Sequence, residues 1–348
     1  MKYYVTNLNN SGKNSFRNII EIISQTSNNT SSNTNTVNQT EEINEIFFNI
    51  SGIIKLKSKI KIQNEHRLII YGESSPGEGI TLLGGIEITN CSNINIRYLR
   101  IRNLNYTYAN TVTIRDSVNI IFRNMTISNG DIFDMAIINS TQIYSLNCII
   151  GHTNNNKRLG STINIINSPS KIAKVTFIGC LFAFTKGNLP RVTGNIELQI
   201  RDNMIFDKNP DSSLPLMTNI ELSIQKHSIC SADNVFWRTK SSLFQYDPEN
   251  YKMRILSPMT INKNDLLEKL NHFLNNVGTS FPNRDIQDNL LISDILNLTE
   301  CSRTITNKNY SLKTQKRKYN EDFHTKKIVN HNKYITEMDL IKVIFPKV

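Results

Sequence analysis

The chain has 348 residues, of which 39% are hydrophobic, and a formal net charge of +11. The charge is uneven, because residues 301–348 carry 11 Lys/Arg against 4 Asp/Glu while the rest of the chain carries 29 against 25. A nucleic-acid partner is therefore not expected for the main body. No apolar run approaches the roughly 20 residues of a membrane span. The N-terminus lacks a signal-peptide pattern, which leaves the compartment open and fits an intracellular or virion protein.

The N-terminal region predicts a strand and a capping helix, assigned to residues 1–25. Such a helix covers the open first turn of a solenoid. Residues 26–44, rich in Ser, Thr, Asn and Gln, predict a low-complexity insertion. Four apolar residues share one face of the helix: Phe16, Ile19, Ile20 and Ile23.

Short segments of alternating apolar residues recur within residues 45–261. Their spacing is 26, 26, 23, 32 and 23 residues when they are aligned on one strand position. A period of this length indicates a solenoid, and the alternation indicates strands rather than helices. The predicted fold class is therefore all-β, a parallel β-helix. The aligned segments start at Arg67, Asn93, Asn119, Gln142, Lys174 and Glu197.

Two aligned columns predict a bend that recurs in every turn. Stacked turns place equivalent residues about 4.8 Å apart, and small, Asn or thiol side chains stack there without clash. The five dispersed cysteines are accordingly predicted to be reduced core thiols. The first column is Gly72, Tyr98, Asn124, Asn147, Gly179 and Asp202, and the second is Glu73, Leu99, Met125, Cys148, Cys180 and Asn203.

The C-terminal part divides into a helical segment, residues 262–300, and a basic tail, residues 301–348. One helix is expected from Asn264 and another within residues 286–298, both packed outside or below the solenoid. The tail carries a basic cluster followed by a short apolar end. It is either a solvated extension, a nuclear-import or nucleic-acid patch, or a peptide that docks on a protein partner or on the solenoid. The cluster consists of Lys313, Lys316, Arg317 and Lys318.

Four sequence blocks together resemble the pectate lyase family, whose members are right-handed parallel β-helices. They occur in the family's order and span roughly residues 3–300. The resemblance implies β-elimination on a polyuronate, in which carboxylate-bound calcium acidifies a proton and an arginine removes it. The blocks are residues 4–12 with 15–17, residues 76–79, residues 96–102, and residues 277–285 with Asp288.

The positions that the resemblance assigns to this chemistry are altered. A calcium-ligand Asp position is Arg123, which would repel the ion. The next acidic cluster maps onto Asp131 and Asp134, and Asp134 is at most a residual calcium ligand. The catalytic-arginine position is Asn188, which cannot act as a base.

No metal or cofactor is therefore expected, and calcium would be needed only if the protein is active. Catalytic candidates are the neighbouring cations Lys186 and Arg191, with Arg123 as a contact for a substrate carboxylate. Substrate-binding candidates are Asp131, Asp134, Asn188 and His152.

Three functions stay open at this stage. The first is a catalytically degenerate β-helix that binds an acidic polysaccharide or serves as a structural or surface module. The second is an active polysaccharide lyase with a shifted site. The third is an interaction or virion protein that docks through its tail. The sequence favours the first, because the blocks that define the fold are kept while the calcium and base positions are not.

Overall fold

A computed structural model shows three sheets that wind as a solenoid, with one strand of each sheet in a typical turn. The all-β parallel β-helix predicted from the repeat is confirmed. Every described strand pairing is parallel except the last, between Gln315–Lys316 and the first turn. The structure describes residues 1–30, 43–104, 107–151, 163–168, 171–183, 190–206, 227–232, 235–237, 252–255, 273–296 and 315–316.

The strands are numbered β1 to β25 in chain order. The long sheet contains β1 (Lys2–Val5), β2 (Asn44–Phe48), β5 (Leu68–Tyr71), β8 (Ser92–Arg97), β11 (Val118–Arg123), β14 (Thr141–Leu146), β17 (Ala173–Ile178), β20 (Ile196–Arg201), β22 (His227–Ala232) and β24 (Lys252–Ile255). The six-stranded sheet contains β4 (Ile60–Gln63), β7 (Ile86–Thr89), β10 (Asn110–Arg115), β13 (Phe133–Ile138), β16 (Ile163–Ile166) and β19 (Arg191–Thr193). The nine-stranded sheet contains β3 (Ile50–Lys55), β6 (Ile80–Leu83), β9 (Leu99–Arg102), β12 (Thr126–Ser128), β15 (Ile149–Gly151), β18 (Leu181–Ala183), β21 (Met204–Phe206), β23 (Val235–Trp237) and β25 (Gln315–Lys316).

The solenoid interior is built from rows of apolar side chains that run across the turns. Successive side chains of a strand point to opposite faces, so every second residue enters the interior. In the long sheet one such row pairs Ile70 with Ile96 and Ile96 with Phe122, all fully buried. Because neighbouring strands are about 4.8 Å apart, equivalent side chains of successive turns touch and form one continuous core.

The predicted bend lies between the long and the nine-stranded sheets and uses the left-handed backbone region. Asn and Gly tolerate this region because it is strained for most L-residues. Gly72 is the exception in its column: it begins a short 3₁₀ turn, and a Cβ there would lie 2.3 Å from the carbonyl oxygen of Tyr98. The other five residues have positive φ: Tyr98 (51°), Asn124 (51°), Asn147 (52°), Gly179 (63°) and Asp202 (53°).

The next column points inward and contains the expected thiols. Cys148 and Cys180 are fully buried and free, and burial raises the pKa of the Cys180 thiol. Asn203 continues the column, where its Oδ1 accepts a 2.8 Å hydrogen bond from the Cys180 amide. Cys91 is also buried and free but lies at another corner, where its amide donates to Ser117 Oγ over 3.1 Å. The core-thiol prediction is confirmed for these three cysteines.

Helix α1 (Phe16–Thr30) caps the first turn, as expected. Ser15 Oγ accepts a hydrogen bond from the amide of Asn18 at 3.2 Å, so Ser15 is the N-cap. Phe16 packs on Phe48 with ring centroids 5.5 Å apart. The helix extends to Thr30, five residues past the boundary assigned from the sequence. Residues 31–42 lie outside the described residues.

Helix α2 (Ile286–Leu296) packs outside the solenoid on the nine-stranded sheet. Leu291 and Ile295 belong to one buried apolar cluster with Ile149 and Leu181 of that sheet. The helix expected from Asn264 falls mostly outside the described residues, which resume at residue 273. No helix in the described part of the chain is long and apolar enough to cross a membrane.

One short piece of the basic tail is described. Gln315 pairs with Ser51 and Lys316 with Ile50, so β25 adds an antiparallel strand to the edge strand β3. The rest of residues 301–348, including Lys313, Arg317 and Lys318, lies outside the described residues.

Candidate functional site

The outer face of the six-stranded sheet carries a row of side chains that the core does not use. Strand register places Lys61 beside Glu87, Glu87 beside Thr113, Thr113 beside Ala136, and Ala136 beside Asn164. These residues alternate with the buried isoleucines of the same strands, so they face outward. We call this set the outer row.

The middle of the outer row is sheltered although it faces outward. Thr113 is 6% exposed and Asn164 is 7% exposed, whereas Lys61 at the start of the row is exposed. The Oδ1 atom of Asn164 is buried and has no hydrogen-bond partner among the described residues. A buried acceptor without a partner costs free energy unless a ligand or water supplies a donor. The Asn164 Oδ1 atom is one of several such atoms in the described residues, and the one that belongs to the outer row.

Lys59, just before β4, reaches along the same face. Its Nζ donates a 3.3 Å hydrogen bond to Thr113 Oγ1 and lies 5.5 Å from the ring centroid of Tyr108. Burial lowers the pKa of Lys59, and the neighbouring carboxylate of Glu87 raises it in partial compensation. Asn110 Nδ2 donates to the same Thr113 hydroxyl at 3.3 Å. The arrangement places one half-buried ammonium, with Glu87 as its charged neighbour, at the sheltered middle of the sheet.

Two features of the fold position Lys59. Gly85 lies under its side chain: a Cβ at Gly85 would come within 3.3 Å of the Lys59 side chain and 2.7 Å of the Thr111 carbonyl oxygen. The backbone of Lys59 is fixed from helix α1, because Arg17 Nη1 donates to its carbonyl oxygen at 3.1 Å. Gly85 and the capping helix thus help to hold the Lys59 side chain in contact with Thr113.

Asp131 and Asp134 lie at the corner that leads from the nine-stranded to the six-stranded sheet. Asp134, in β13, is fully buried, and its Oδ1 accepts a 2.8 Å hydrogen bond from the amide of Gly130. Asp131 is half-buried, and its amide donates to the carbonyl oxygen of Tyr108 at 3.3 Å. The same carbonyl accepts a 2.7 Å bond from Asn103 Nδ2. This corner thereby holds the segment that carries Tyr108.

Arg123 lies elsewhere. It ends β11 of the long sheet, between Arg97 of β8 and Leu146 of β14. From there the chain passes through β12 before it reaches Asp131, so Arg123 and the two aspartates occupy different corners of the turn. Among the described candidates, Arg123 therefore lies at a different corner from Asp131 and Asp134.

The remaining candidates are placed only in part. The backbone of Arg191 begins β19 and is paired with Asn164, at the end of the six-stranded sheet where the outer row finishes. Lys186, Asn188 and His152 lie outside the described residues, so their proposed roles stay predictions. His152 follows β15 directly in the chain.

The sequence prediction did not single out Lys59, Glu87, Thr113 or Asn164. Lys59 lies in the first turn of the solenoid, and the aligned repeats begin only with the second turn, at Arg67. The repeat pattern therefore carries no information about this lysine. A usable signal was Gly84-Gly85 directly before a strand, since glycine there often marks a close approach of another group.

The described residues do not fit a calcium site. Within the described ranges, no three or more His, Cys, Asp or Glu side chains are grouped closely enough to hold a metal ion. Calcium prefers six to eight oxygen ligands, and Asp131 and Asp134 alone fall well short of that number. Asp134 Oδ1 is moreover already engaged by the Gly130 amide. A calcium-assisted elimination does not follow from these residues.

The sequence is similar to fungal pectate lyases over part of its length, although no protein-family model matches it. It is 30% identical over 131 residues to the probable pectate lyase C of Aspergillus terreus, a match that covers 37% of this chain and 26% of the relative. The corresponding Aspergillus flavus protein is 29% identical over 150 residues, covering 40% of this chain and 31% of the relative. The match therefore spans about a quarter to a third of these relatives' length.

Similar folds occur among solved structures. A Bacillus pectate lyase in complex with trigalacturonate matches 80% of this chain and 93% of its own, with 12% identity and a TM-score of 0.46. The major allergen of cedar pollen matches 88% of this chain and 89% of its own, with 13% identity and a TM-score of 0.45. The strand topology of the present chain, together with its sequence similarity to the fungal proteins, identifies it as a pectate-lyase-like parallel β-helix.

Proposed function

We propose that the protein binds an acidic polysaccharide on the outer face of the six-stranded sheet and does not cleave it by calcium-dependent elimination. One observation carries the proposal: a sheltered row that combines a lysine ammonium with a buried, unpartnered Asn164 Oδ1. A sugar hydroxyl supplies the donor that Asn164 needs, and a uronate carboxylate complements Lys59. The similarity to proteins named pectate lyases supports a polyuronate as the ligand class.

The degenerate chemistry is supported by residue types. Arg123 stands where the resemblance expects a calcium-ligand aspartate, and Asn188 stands where it expects the base. Asparagine carries no basic group, so proton removal would need another residue.

The alternative is an active lyase with a shifted site, in which Lys186 or Arg191 removes the proton. Arg191 pairs with Asn164 across β19 and β16 of the six-stranded sheet. Its backbone therefore lies at the end of the outer row, which favours this alternative.

Two measurements test the proposal together. Binding of trigalacturonate and polygalacturonate is measured by calorimetry, and the ultraviolet absorbance of the unsaturated elimination product is followed with and without added calcium. Binding without product is expected. Calcium-dependent product would refute the degenerate site, and calcium-independent product that disappears in Arg191→Ala would establish the shifted-site lyase. Failure to bind any polyuronate would remove the acidic-polysaccharide proposal.

The matched variant for the binding site is Asn164→Leu, which replaces the unpartnered amide with an apolar side chain of similar size. Weaker binding is expected because the hydroxyl acceptor is lost. Asn139→Gly, which also removes an amide side chain but at an exposed corner residue that follows β13, serves as the control and is expected to leave binding unchanged.

A further inference from the structure

We infer that Lys59 is the selectivity determinant of this face, the cation that pairs with a uronate carboxylate and distinguishes an acidic from a neutral polysaccharide. The inference rests on the proposed function and extends its site to the first turn of the solenoid, where the sequence similarity assigned no functional residue. Gly85, Arg17 and the ring of Tyr108 surround this lysine.

The side chain of Lys59 is held in one position by its neighbours. A lysine at a solvated edge ordinarily extends into water, because holding its flexible side chain in one geometry costs conformational entropy. Lys59 instead lies over Gly85 and donates to Thr113 Oγ1 at 3.3 Å. Alanine in place of Gly85 would intrude on this path, since its Cβ would approach Lys59 to 3.3 Å.

The charge of Lys59 is only partly compensated. The contacts found for its ammonium are a hydroxyl and an aromatic face, with Glu87 as an electrostatic neighbour. No ion pair within the hydrogen-bonding range joins Lys59 to a carboxylate in the described part of the chain. A half-buried ammonium with neutral contacts gains from a carboxylate ligand more than a fully solvated one does, because less water must be displaced from it.

The loop between β3 and β4, which carries Lys59, is anchored. Arg17 of α1 donates to the carbonyl oxygens of both Ser58 and Lys59, and Asn10 Oδ1 accepts from the amide of Lys57 at 2.9 Å. The capping helix therefore fixes the segment that presents Lys59. Preorganisation of this kind lowers the ordering cost of binding.

The chain offers a matched control in β4, the strand that Lys59 precedes. Lys61 is two residues away, on the same face and with the same charge, but it is exposed. Lys59→Met and Lys61→Met change the net charge equally and keep the length of the side chain. A merely long-range electrostatic contribution would affect both variants alike.

The experiment measures the Kd of each variant for polygalacturonate and for its fully methyl-esterified form, at fixed ionic strength. Lys59→Met is expected to weaken polygalacturonate binding about tenfold or more, the size of one lost charge-assisted hydrogen bond, and to leave binding of the neutral polymer unchanged. Lys61→Met is expected to change either Kd by less than about twofold.

Circular dichroism and thermal melting of each variant confirm that the fold is retained. If the wild type binds polygalacturonate and the two variants Lys59→Met and Lys61→Met weaken that binding equally, the inference is overturned. The proposed function would still stand. Equal loss for acidic and neutral polymers in Lys59→Met would overturn it as well, because it would indicate a general contact rather than carboxylate recognition. Absence of binding by the wild type would overturn both proposals.

Discussion

The guanidinium of Arg102 donates a 2.7 Å hydrogen bond to a carboxylate oxygen of Asp288, a residue 186 positions later in the chain. Both side chains are almost completely buried. Arg102 also contacts both oxygens of Asp285, and Asp288 accepts a 2.7 Å bond from Thr126. Two of the sequence blocks shared with pectate lyases, residues 96–102 and residues 277–285 with Asp288, therefore meet in space and fasten the C-terminal segment to the nine-stranded sheet.

This buried network predicts a large loss of stability when one partner is removed. Asp288→Asn leaves Arg102 and Arg100 with one carboxylate fewer in a site without water access, which is expected to lower the free energy of unfolding by about 3 kcal/mol. Urea unfolding followed by circular dichroism measures the change.

The control is the exposed ion pair of Lys174 and Glu197, whose Nζ and Oε2 atoms are 3.2 Å apart and whose side chains are 40% and 39% exposed. Glu197→Gln is expected to cost less than about 1 kcal/mol, because solvent screens such pairs. Equal midpoints for the two variants would show that the buried network contributes no more than a surface pair.

A second prediction concerns the left-handed turns. Asn139 has φ of 48° and an exposed side chain. Asn139→Gly is expected to be nearly neutral, since glycine adopts this conformation freely, whereas Asn139→Ile is expected to lower the free energy of unfolding by about 1–2 kcal/mol. Thermal melting of the two variants side by side checks this. Similar melting temperatures would show that the turn relaxes to another backbone conformation.

These turns also explain why the fold was readable from the sequence. A left-handed residue at a fixed place in each turn admits few residue types, so Asn124, Asn147 and Gly179 recur at the spacing of the solenoid. The many asparagines of the chain thus have a structural use: Asn64 and Asn90 occupy another left-handed corner, where their side-chain amides form a 2.7 Å hydrogen bond. A backbone constraint that recurs in every turn thus produces a residue pattern that recurs in the sequence.

The site was less readable because it is not periodic. Lys59 acts across two strands, over Gly85 and onto Thr113, and the local sequence signals that approach only through the Gly84-Gly85 pair before β7. Arg123 was grouped with Asp134 because a family pattern joins their positions, yet the two lie at different corners of the turn. Residues that meet only through the winding of the chain carry no spacing rule that could reveal them.

A third prediction concerns the buried thiols. In a Cys230→Ser/Cys301→Ser variant, Cys91, Cys148 and Cys180 are expected to resist an aromatic disulfide reagent at pH 8 and to react fully after denaturation. Burial denies the reagent access and also raises the pKa of Cys91 to about 11, so little thiolate is present. Counting the released chromophore before and after adding denaturant measures this. Release of three equivalents from the folded protein would contradict the core placement.

The fourth prediction is a pH dependence of stability that originates at Lys59. Burial lowers the pKa of this lysine in the folded protein, and the opposing effect of the Glu87 carboxylate is smaller. The ammonium lies near the ring of Tyr108. The unfolded chain therefore binds the proton more tightly than the folded one. The charged side chain costs stability at neutral pH, and this cost is lost as the pH rises through the lowered folded pKa toward the unfolded value of about 10.4.

Lys59→Met removes the cost at every pH. The variant is therefore expected to be more stable than the wild type at neutral pH, with the advantage shrinking as the pH approaches 10, which urea unfolding at several pH values measures. Lys61→Met, which alters an exposed lysine two residues away, is expected to show no such trend. An advantage of Lys59→Met that grows with pH would mean that the folded protein holds the proton more tightly than the unfolded chain, so that Glu87 rather than burial dominates at Lys59.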